Sequence, residues 1–258
     1  MTELERCIEF ICRLADRAAV RKERSRFGIA HLNDELPRVW SSNYLFANEN
    51  LAEADAEALA GEADRILGGA GFTHRKVELV DEEAGARLEP GFRELGWTVQ
   101  CDVLMVVHRK PDRPTDSSQI SEVTFEELSE AWAAGSRAAP LGAEEDVVQQ
   151  LVENKRVVAQ AIATRFFAAE VDGQIASYCD LYSDGQTGQI EAVMTLEAYR
   201  KRGLARAVVS RALDESRAAG DTMTFLMADR DDWPQELYRK LGFDEIGRIW
   251  EFIRPSPK

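Results

Sequence analysis

The sequence predicts an α/β (α+β) fold organised as two domains, and three observations support this prediction. Apolar side chains recur three and four positions apart over residues 3–24, the spacing of an amphipathic helix. The apolar segments TRFFAAEV and QIASYCDLY flank Asp172-Gly173, a dipeptide typical of a type I′ hairpin turn. The segment FRELGW at 92–97 resembles YRKLGF at 238–243, and both precede a β-rich stretch. Such self-similarity indicates a duplicated unit.

Composition excludes several classes of protein. The 258 residues are 45% hydrophobic and 30% charged, enough for one large or two ordinary cores. A formal net charge of -14 argues against sequence-independent binding of nucleic acid and suits an enzyme that attracts cationic small molecules. No apolar run approaches the roughly 20 residues of a membrane span, and the acidic start MTELERCIEF does not resemble a signal peptide. We therefore expect a cytoplasmic protein without a membrane partner.

Metal binding is not expected. The four cysteines, at positions 7, 12, 101 and 179, have neither zinc-site spacing nor the density of a disulfide scaffold. The three histidines, at 31, 74 and 108, form no recognisable ligand pair. Reduced cysteines placed mostly in the core are the simplest interpretation.

A linker divides the chain. Residues 109–118, RKPDRPTDSS, concentrate proline, charge and serine. We predict a first domain over 1–110, a linker over 111–118 and a second domain over 119–258. Within the first domain, we predict that the charged run RKERSR is the solvated end of the first helix and that RVWSSNYLFANE forms a strand. Within the second, helices are expected over 124–134 and 144–163.

The stretch from 189 to 206, QIEAVMTLEAYRKRGLAR, predicts an anion site. Gly203 allows close approach of the backbone, and the amides that follow would lie unpaired at a helix N-terminus. Four cations within seven residues oppose the charge of the rest of the chain: Arg200, Lys201, Arg202 and Arg206. The alternative is an ordinary strand-to-helix turn with a solvated basic rim.

The duplication does not preserve this turn. At the 146-residue offset between FRELGW and YRKLGF, Arg200, Gly203 and Ala205 correspond to Ala54, Glu57 and Leu59. A carboxylate at the glycine position would repel phosphate, so the first copy is expected to keep the scaffold without the ligand. The alternative is that the short match arises by chance.

The second half resembles the GNAT superfamily of acyl-coenzyme A N-acyltransferases. The family's turn, Gln or Arg, two residues, Gly, one residue, Gly or Ala, occurs as residues 200–205, and a second motif as DRDDWPQELYRKLGF at 229–243. The resemblance covers residues 120–254 and implies two GNAT-like domains, each with a mixed, mostly antiparallel central sheet flanked by helices. In this tandem arrangement the N-terminal copy is degenerate and only the C-terminal copy keeps the cofactor motif.

The resemblance also implies where acetyl-coenzyme A would bind. The backbone of Val193, Met194 and Thr195 would face the pantetheine arm, in a gap where two parallel strands, 189–195 and 222–228, splay apart. The pyrophosphate would lie on the turn, which gives the remaining candidates: Arg200, Lys201, Arg202, Gly203, Leu204, Ala205 and Arg206. Asp232 occupies a position where relatives commonly have asparagine, which puts its contact with the arm in doubt.

For the chemistry, the resemblance implies direct attack by a small-molecule amine in a ternary complex. Tyr238 lies where many members keep the general acid, and its alternative role is a half-buried structural tyrosine. Glu191, two residues before Val193 on the predicted strand, is expected to alternate to the face of Val193 and Thr195 and could act as base, directly or through water; a solvated or hydrogen-bonded carboxylate is the alternative. No histidine lies near Cys179 in sequence to activate it, so it is expected in the core.

The sequence therefore predicts an acetyl-coenzyme A-dependent N-acetyltransferase. One alternative is a non-catalytic module that binds acyl-coenzyme A or a partner, and another is an acyltransferase in amino-sugar or thiol metabolism, similar to mycothiol synthase. The acceptor, the acyl chain length and the oligomeric state are not specified by the sequence, since acceptor contacts are expected from variable segments such as residues 126–154.

Overall fold

The computed structural model describes residues 1–137 and 144–255. Its α-helices are α1 (Glu3–Ala18), α2 (Ala56–Ala63), α3 (Glu82–Glu94), α4 (Phe125–Arg137), α5 (Glu145–Ala161), α6 (Leu204–Ala218) and α7 (Pro234–Leu241). Its strands are β1 (Arg21–Ser25), β2 (Gly28–Leu32), β3 (Tyr44–Ala47), β4 (Arg75–Leu79), β5 (Thr98–Val107), β6 (Ile120–Val123), β7 (Ala163–Val171), β8 (Gln174–Ser183), β9 (Thr187–Thr195), β10 (Met223–Asp229) and β11 (Phe243–Arg254). Over these residues no helix is both long and apolar enough to cross a membrane.

The chain forms two compact units, and each is discontinuous in sequence. The C-terminal unit contains Met1–Phe10, Leu104–Ala228 and Asp232–Ile246. The N-terminal unit contains Ile11–Val103, Asp229–Asp231 and Gly247–Lys258. The division at residues 111–118 stays a prediction about the domains. The compact units are divided differently, because the C-terminal unit includes the first residues of the chain and the N-terminal unit includes the last ones.

In the C-terminal unit, strands lie in the order β10-β9-β8-β7-β6. β9 and β10 are parallel, and the other neighbours are antiparallel. α6 packs on β8 and β9, and α4 packs on α5. The turn between β7 and β8 has positive φ at both Asp172 (54°) and Gly173 (77°), as a type I′ turn requires. The predicted hairpin is confirmed.

In the N-terminal unit, the strand order is β1-β2-β3-β4-β11. β3 and β4 are parallel, whereas residues Trp250–Arg254 of β11 run antiparallel to β4. The core includes Leu45, Leu59 and Phe92, and the ring of Phe92 stacks on that of Phe252 at 4.0 Å between centroids. Strand, helix and parallel strand thus follow one another in both units, through α2 in one and α6 in the other. The predicted fold class, mixed α/β with mostly antiparallel strands flanked by helices, is confirmed.

Two local predictions in the first half are wrong. The run RKERS forms strand β1 instead of extending α1, and it pairs antiparallel with β2. Its side chains are mostly exposed and ion-paired, as in Arg21 with Asp34 at 3.1 Å, which suits an edge strand. The strand predicted over residues 38–49 is reduced to β3, because Trp40–Ser42 form a 3-10 turn.

Candidate functional site

A gap opens between β9 and β10. The parallel register runs from Thr187 opposite Met223 to Ile190 opposite Leu226. Both strands continue beyond these residues, but over their described residues β9 and β10 form no further pairs with each other. Backbone groups on the open edge of β9 from Glu191 onward therefore face a gap at the place that the family resemblance implied.

A β-bulge adjoins the gap. Asp180 on β8 pairs with Glu191 and Tyr178 pairs with Met194, so two steps along β8 match three along β9. Ala192 within the bulge has φ of 53°, a conformation rare for a residue other than glycine and costing on the order of 1–3 kcal/mol. Bulges of this kind redirect side chains and are common beside active sites.

The bulge changes which side chains share a face. Thr195 Oγ1 lies 2.8 Å from Ser177 Oγ, and Ser177 points to the face opposite Asp180 because the two residues are three positions apart on a strand. Glu191 shares the face of its partner Asp180. The expectation that Glu191 alternates to the face of Thr195 is therefore wrong, since the extra residue of the bulge reverses the alternation.

The turn before α6 exposes backbone amides. Lys201 and Gly203 both have positive φ, of 64° and 82°. Gly203 is the N-cap of α6 and offers no side-chain cap, and the first described helical bond from this end is Ala207 N–H to the Gly203 carbonyl, at 3.1 Å. The amides of residues 204–206 precede this bond and have no acceptor within the helix. Together with the helix dipole they form a site suited to an anion.

The four cations of the turn have different surroundings. Arg200 Nε donates to the Thr195 carbonyl at 3.4 Å, and the guanidinium of Arg202 lies 5.1 Å from the centroid of the Tyr199 ring. Arg206 is buried and forms an ion pair with Asp112, at 2.8 Å. The charge of Arg206 is thus balanced by Asp112, whereas Lys201 is exposed.

A cleft with a volume of about 780 Å³ joins the turn to the gap. It brings together most of the predicted cofactor residues and one predicted catalytic residue: Val193, Met194, Thr195, Arg200, Lys201, Gly203, Leu204, Ala205, Arg206, Asp232 and Tyr238. The two predicted residues outside its lining are Glu191 and Arg202. Residues that are distant in sequence by as much as 45 positions therefore line one continuous space.

Other lining residues were not predicted: Arg113, Tyr199, Trp233, Pro234, Glu236, Leu237 and Lys240. Most lie in or beside the two motifs, where the spacing of four residues from Tyr238 on a helix could have indicated Pro234. Arg113 lies in the predicted linker, and nothing local in the sequence indicates its position. Asp232 is partly engaged, because its carboxylate accepts a hydrogen bond from the Trp233 N–H at 2.7 Å.

Tyr238 is buried at the cleft, with 6% of its surface exposed. Its ring makes an edge contact with Phe243, at 6.1 Å between centroids, and no described residue hydrogen-bonds its hydroxyl. Burial raises the pKa of Tyr238, and the negative charge of Glu191 raises it further. The hydroxyl is therefore protonated at neutral pH and free to donate.

Glu191 lies in a polar cluster on the face away from α6. Its Oε2 accepts a hydrogen bond from Gln189 Nε2 at 2.8 Å. Burial raises the pKa of Glu191; the Lys155 ammonium lowers it, and the Asp180 carboxylate raises it. A glutamate whose pKa is raised toward neutral is a better general base than an exposed one.

Cys179 lies in the core, as predicted. It is fully buried, burial raises the pKa of its thiol well above the ordinary value, and its Sγ donates to the Val208 carbonyl of α6 at 3.5 Å. A thiol held in this form is a poor nucleophile. Among the described residues no group of His, Cys, Asp and Glu is arranged to hold a metal ion.

The corresponding helix of the N-terminal unit begins differently. The Asp55 carboxylate caps α2 by accepting a hydrogen bond from the Ala58 N–H at 2.8 Å, and Glu57 lies in the first turn. This helix start thus carries its own negative charges where α6 has unpaired amides. A phosphate would be repelled there.

A family model described as the acetyltransferase (GNAT) family matches residues 126–243. Residues 126–243 are a GNAT acetyltransferase domain. The match contains the bulged strand, the turn, α6 and α7, and so every predicted site residue of the GNAT domain. Residues 138–143, within the segment expected to contact the acceptor, lie outside the described residues.

Solved structures resemble this chain in fold. A GCN5-related N-acetyltransferase from Kribbella flavida has a TM-score of 0.67 at 21% identity and covers 100% of this chain and 97% of its own. A conserved protein of unknown function from Staphylococcus epidermidis has a TM-score of 0.69 at 16% identity, covering 92% and 94%. A tandem GNAT protein from the clavulanic acid biosynthesis pathway has a TM-score of 0.52 at 13% identity, covering 78% and 70%.

These likenesses concern the fold, because the identities are low. They include one GNAT structure that aligns over the full chain and one tandem GNAT protein, in agreement with the predicted resemblance. No curated protein matches the chain.

Proposed function

We propose that this chain is an N-acetyltransferase that uses acetyl-coenzyme A and acetylates a small-molecule amine by direct attack in a ternary complex. The observation that carries the proposal is the continuity of one cleft, from the unpaired amides at the start of α6, along the open edge of β9, to the Tyr238 hydroxyl. A phosphate-bearing ligand with an extended amide-containing arm and a thioester end fits that order of features.

The residues present fit coenzyme A. The amides of residues 204–206 would bind the pyrophosphate, with Arg200 and Lys201 adding positive charge. The open edge of Val193 to Thr195 would hydrogen-bond the amides of the pantetheine arm as an added strand does. When bound, acetyl-coenzyme A supplies an activated acetyl group, since its carbonyl carbon accepts the new C–N bond as the C–S bond breaks and leaves its electron pair on sulfur.

Two side chains would manage the protons. Glu191 would take a proton from the acceptor's ammonium, directly or through water, so that the nitrogen lone pair becomes available. Tyr238 would donate its hydroxyl proton to the departing sulfur. After attack the nitrogen still carries one proton too many, and this proton passes through solvent to the Tyr238 phenolate and restores its hydroxyl. Glu191 releases its own proton to solvent, which leaves an amide, a thiol, one released proton and the original enzyme.

The two roles are coupled. Reference values alone place donation from a phenol to a thiolate about 2 kcal/mol uphill, and the raised pKa of Tyr238 makes it steeper. Because the charge of Glu191 contributes to that rise, proton uptake by Glu191 removes part of the barrier. Deprotonation of the amine thus makes Tyr238 a stronger acid at the moment when the thiolate forms.

The test is a screen of small amines with acetyl-coenzyme A in which thiol release is followed, with a control that contains acetyl-coenzyme A alone to measure hydrolysis. Amine-dependent thiol release together with a mass increase of one acetyl group on the amine supports the proposal. Tight binding of acetyl-coenzyme A without turnover across the panel would instead favour the non-catalytic binding module.

A further inference from the structure

A buried ion pair adjoins Glu191. Asp180 on β8 has no exposed surface, and its Oδ2 lies 2.6 Å from Lys155 Nζ on α5 and accepts a hydrogen bond from the Tyr182 hydroxyl at 3.2 Å. Cys179, the neighbouring residue, reaches α6, so Asp180 points to the other face. That face is also the face of Glu191, the cross-strand partner of Asp180.

The cluster has more acceptors than donors. Two carboxylates, Asp180 and Glu191, are accompanied by one ammonium, Lys155. Two buried oxygens, Asp180 Oδ1 and Gln189 Oε1, have no hydrogen-bond partner among the described residues. Buried acceptors without donors raise the free energy of the charged state, so the cluster as a whole favours gain of a proton.

The groups around Glu191 come from four elements. β8 contributes Asp180 and Tyr182, α5 contributes Lys155, α7 contributes Tyr238, and β9 itself contributes the uncharged Gln189. On the α4 side, the ring of Trp132 lies 5.9 Å from Lys155 Nζ and carries no charge. Among the described side chains, Lys155 is thus the cation that acts on Glu191.

We propose that Lys155 and Asp180 are positioning residues that set the proton affinity of Glu191, and hence the pH at which it can deprotonate the acceptor. The proposal rests on the proposed function for the role of Glu191. Lys155 favours the ionised carboxylate, and Asp180 favours the protonated acid. In the transfer, an N–H bond of the acceptor's ammonium breaks, its electron pair stays on nitrogen, and the proton binds a Glu191 carboxylate oxygen.

The experiment compares Asp180→Asn with the double variant Asp180→Asn/Lys155→Met. In Asp180→Asn the ammonium is no longer neutralised, so the midpoint of Glu191 protonation should fall by about one pH unit. Adding Lys155→Met should reverse that shift, without leaving a buried unpaired Asp180. Lys155→Arg, which keeps the charge, should leave the midpoint near that of the wild type, as should the control Asp214→Asn on the exposed face of α6.

Two readouts are used: the pH profile of kcat/KM and a ¹³C NMR titration of the Glu191 carboxyl carbon in the protein without substrate, with the resonance identified by Glu191→Gln. A purely structural role would reduce activity in both variants without opposite shifts, and that result overturns the proposal, as does an unmoved midpoint. If the wild type releases no thiol with any amine, the proposed function fails, whereas the NMR titration still decides the role of Lys155 and Asp180. Thermal unfolding of each variant verifies that it folds, and the isosteric Asp180→Asn carries the test if the double variant does not.

Discussion

Asp180 on β8 lies directly opposite Glu191 on β9, and the bulge at Ala192 turns Thr195 to the other face of the same strand pair. The strand thus presents an acid on one face and binding groups for the proposed arm on its edge. Because Ala192 lies within the bulge, the carboxylate of Glu191 and the hydroxyl of Thr195, four positions apart, face opposite sides of the strand.

Activity should depend on ionised Glu191. Because burial raises the pKa of Glu191, kcat/KM should rise with pH through a midpoint above that of an ordinary glutamate, and activity should be lost as the pH falls below it. Glu191→Gln should remove this acidic limb and lower kcat/KM by about 10²–10⁴-fold. The control is Glu197→Gln, an exposed residue of the following 3-10 turn, which should retain the wild-type profile. An unchanged profile in Glu191→Gln would exclude Glu191 as the base.

Tyr238→Phe should lower kcat by about 10²-fold or more and leave acetyl-coenzyme A affinity nearly unchanged. The hydroxyl has no described hydrogen-bond partner, and the contact with Phe243 survives the substitution. Steady-state kinetics and calorimetry measure the two quantities. Tyr178→Phe, in the core of the same unit, serves as the control for loss of a buried hydroxyl. Unaltered turnover in Tyr238→Phe would remove Tyr238 from the mechanism.

Gly203→Glu should abolish detectable binding of acetyl-coenzyme A in calorimetry. The substitution places a carboxylate at the unpaired amides and copies the acidic start of α2. The matched control is Gly220→Glu after the C-terminus of the same helix, where φ is also positive (96°) and an added Cβ also meets no neighbour. Both substitutions strain the backbone alike, so retained micromolar binding in Gly203→Glu would disprove the anion site.

Arg113 should strengthen binding through its charge. Arg113→Gln is expected to weaken acetyl-coenzyme A binding several-fold at low salt and by less at high salt, because exposed charges are screened. Arg217→Gln, in the last turn of α6, provides the comparison. Equal effects of the two substitutions would show that Arg113 acts only through the net charge of the protein.

Stability should fall as pH rises through the titration of Glu78 in the N-terminal unit. Burial raises the pKa of Glu78 from its usual 4.5 to about 7, although Lys76 Nζ lies 3.4 Å from its carboxylate. The folded chain therefore holds a proton that the unfolded chain releases between these values, and the stabilisation present below this window is lost above it. Glu78→Gln should lessen the fall in unfolding free energy between pH 5 and 8, by about 1–3 kcal/mol.

Urea unfolding at the two pH values measures this difference. Glu94→Gln, an exposed residue of α3, is the control and should follow the wild type. If Glu78→Gln loses as much stability as the wild type over the same pH range, another group is responsible.

Local signals predicted the parts of the site that depend on local conformation. Asp172-Gly173 specified its turn, and Gly203 with its flanking cations specified the start of α6, because each depends on backbone conformations that few residues adopt. The bulge was not predictable in this way, since alanine carries no preference for positive φ. Ala192 adopts it inside the bulge, where three steps along β9 match two along β8, a pairing that no local pattern in the sequence indicates.

Long-range contacts account for the other differences. Lys155 lies 25 residues before Asp180 in the sequence. The two side chains form their ion pair only because α5 packs against the sheet at β7, a contact that no local pattern indicates. Arg113 reads as part of a linker until the fold places it at the cleft. The segment that forms β1 is predicted from its sequence as the solvated end of a helix. In the structure its charged side chains form ion pairs with residues elsewhere in the unit, and a local sequence pattern cannot indicate such partners.

The exchange of terminal segments limits how the protein can be divided. Phe10 packs edge-on against Phe225 at 5.5 Å, and Arg6 Nε donates to Thr187 Oγ1 at 2.7 Å, so the first residues complete the unit that holds the cleft. Phe252 in turn completes the core around Phe92. Cleavage at residues 111–118 would therefore give two fragments that each lack a strand or helix segment of their own core, and a protease that nicks the linker should leave the halves associated until the chain is denatured.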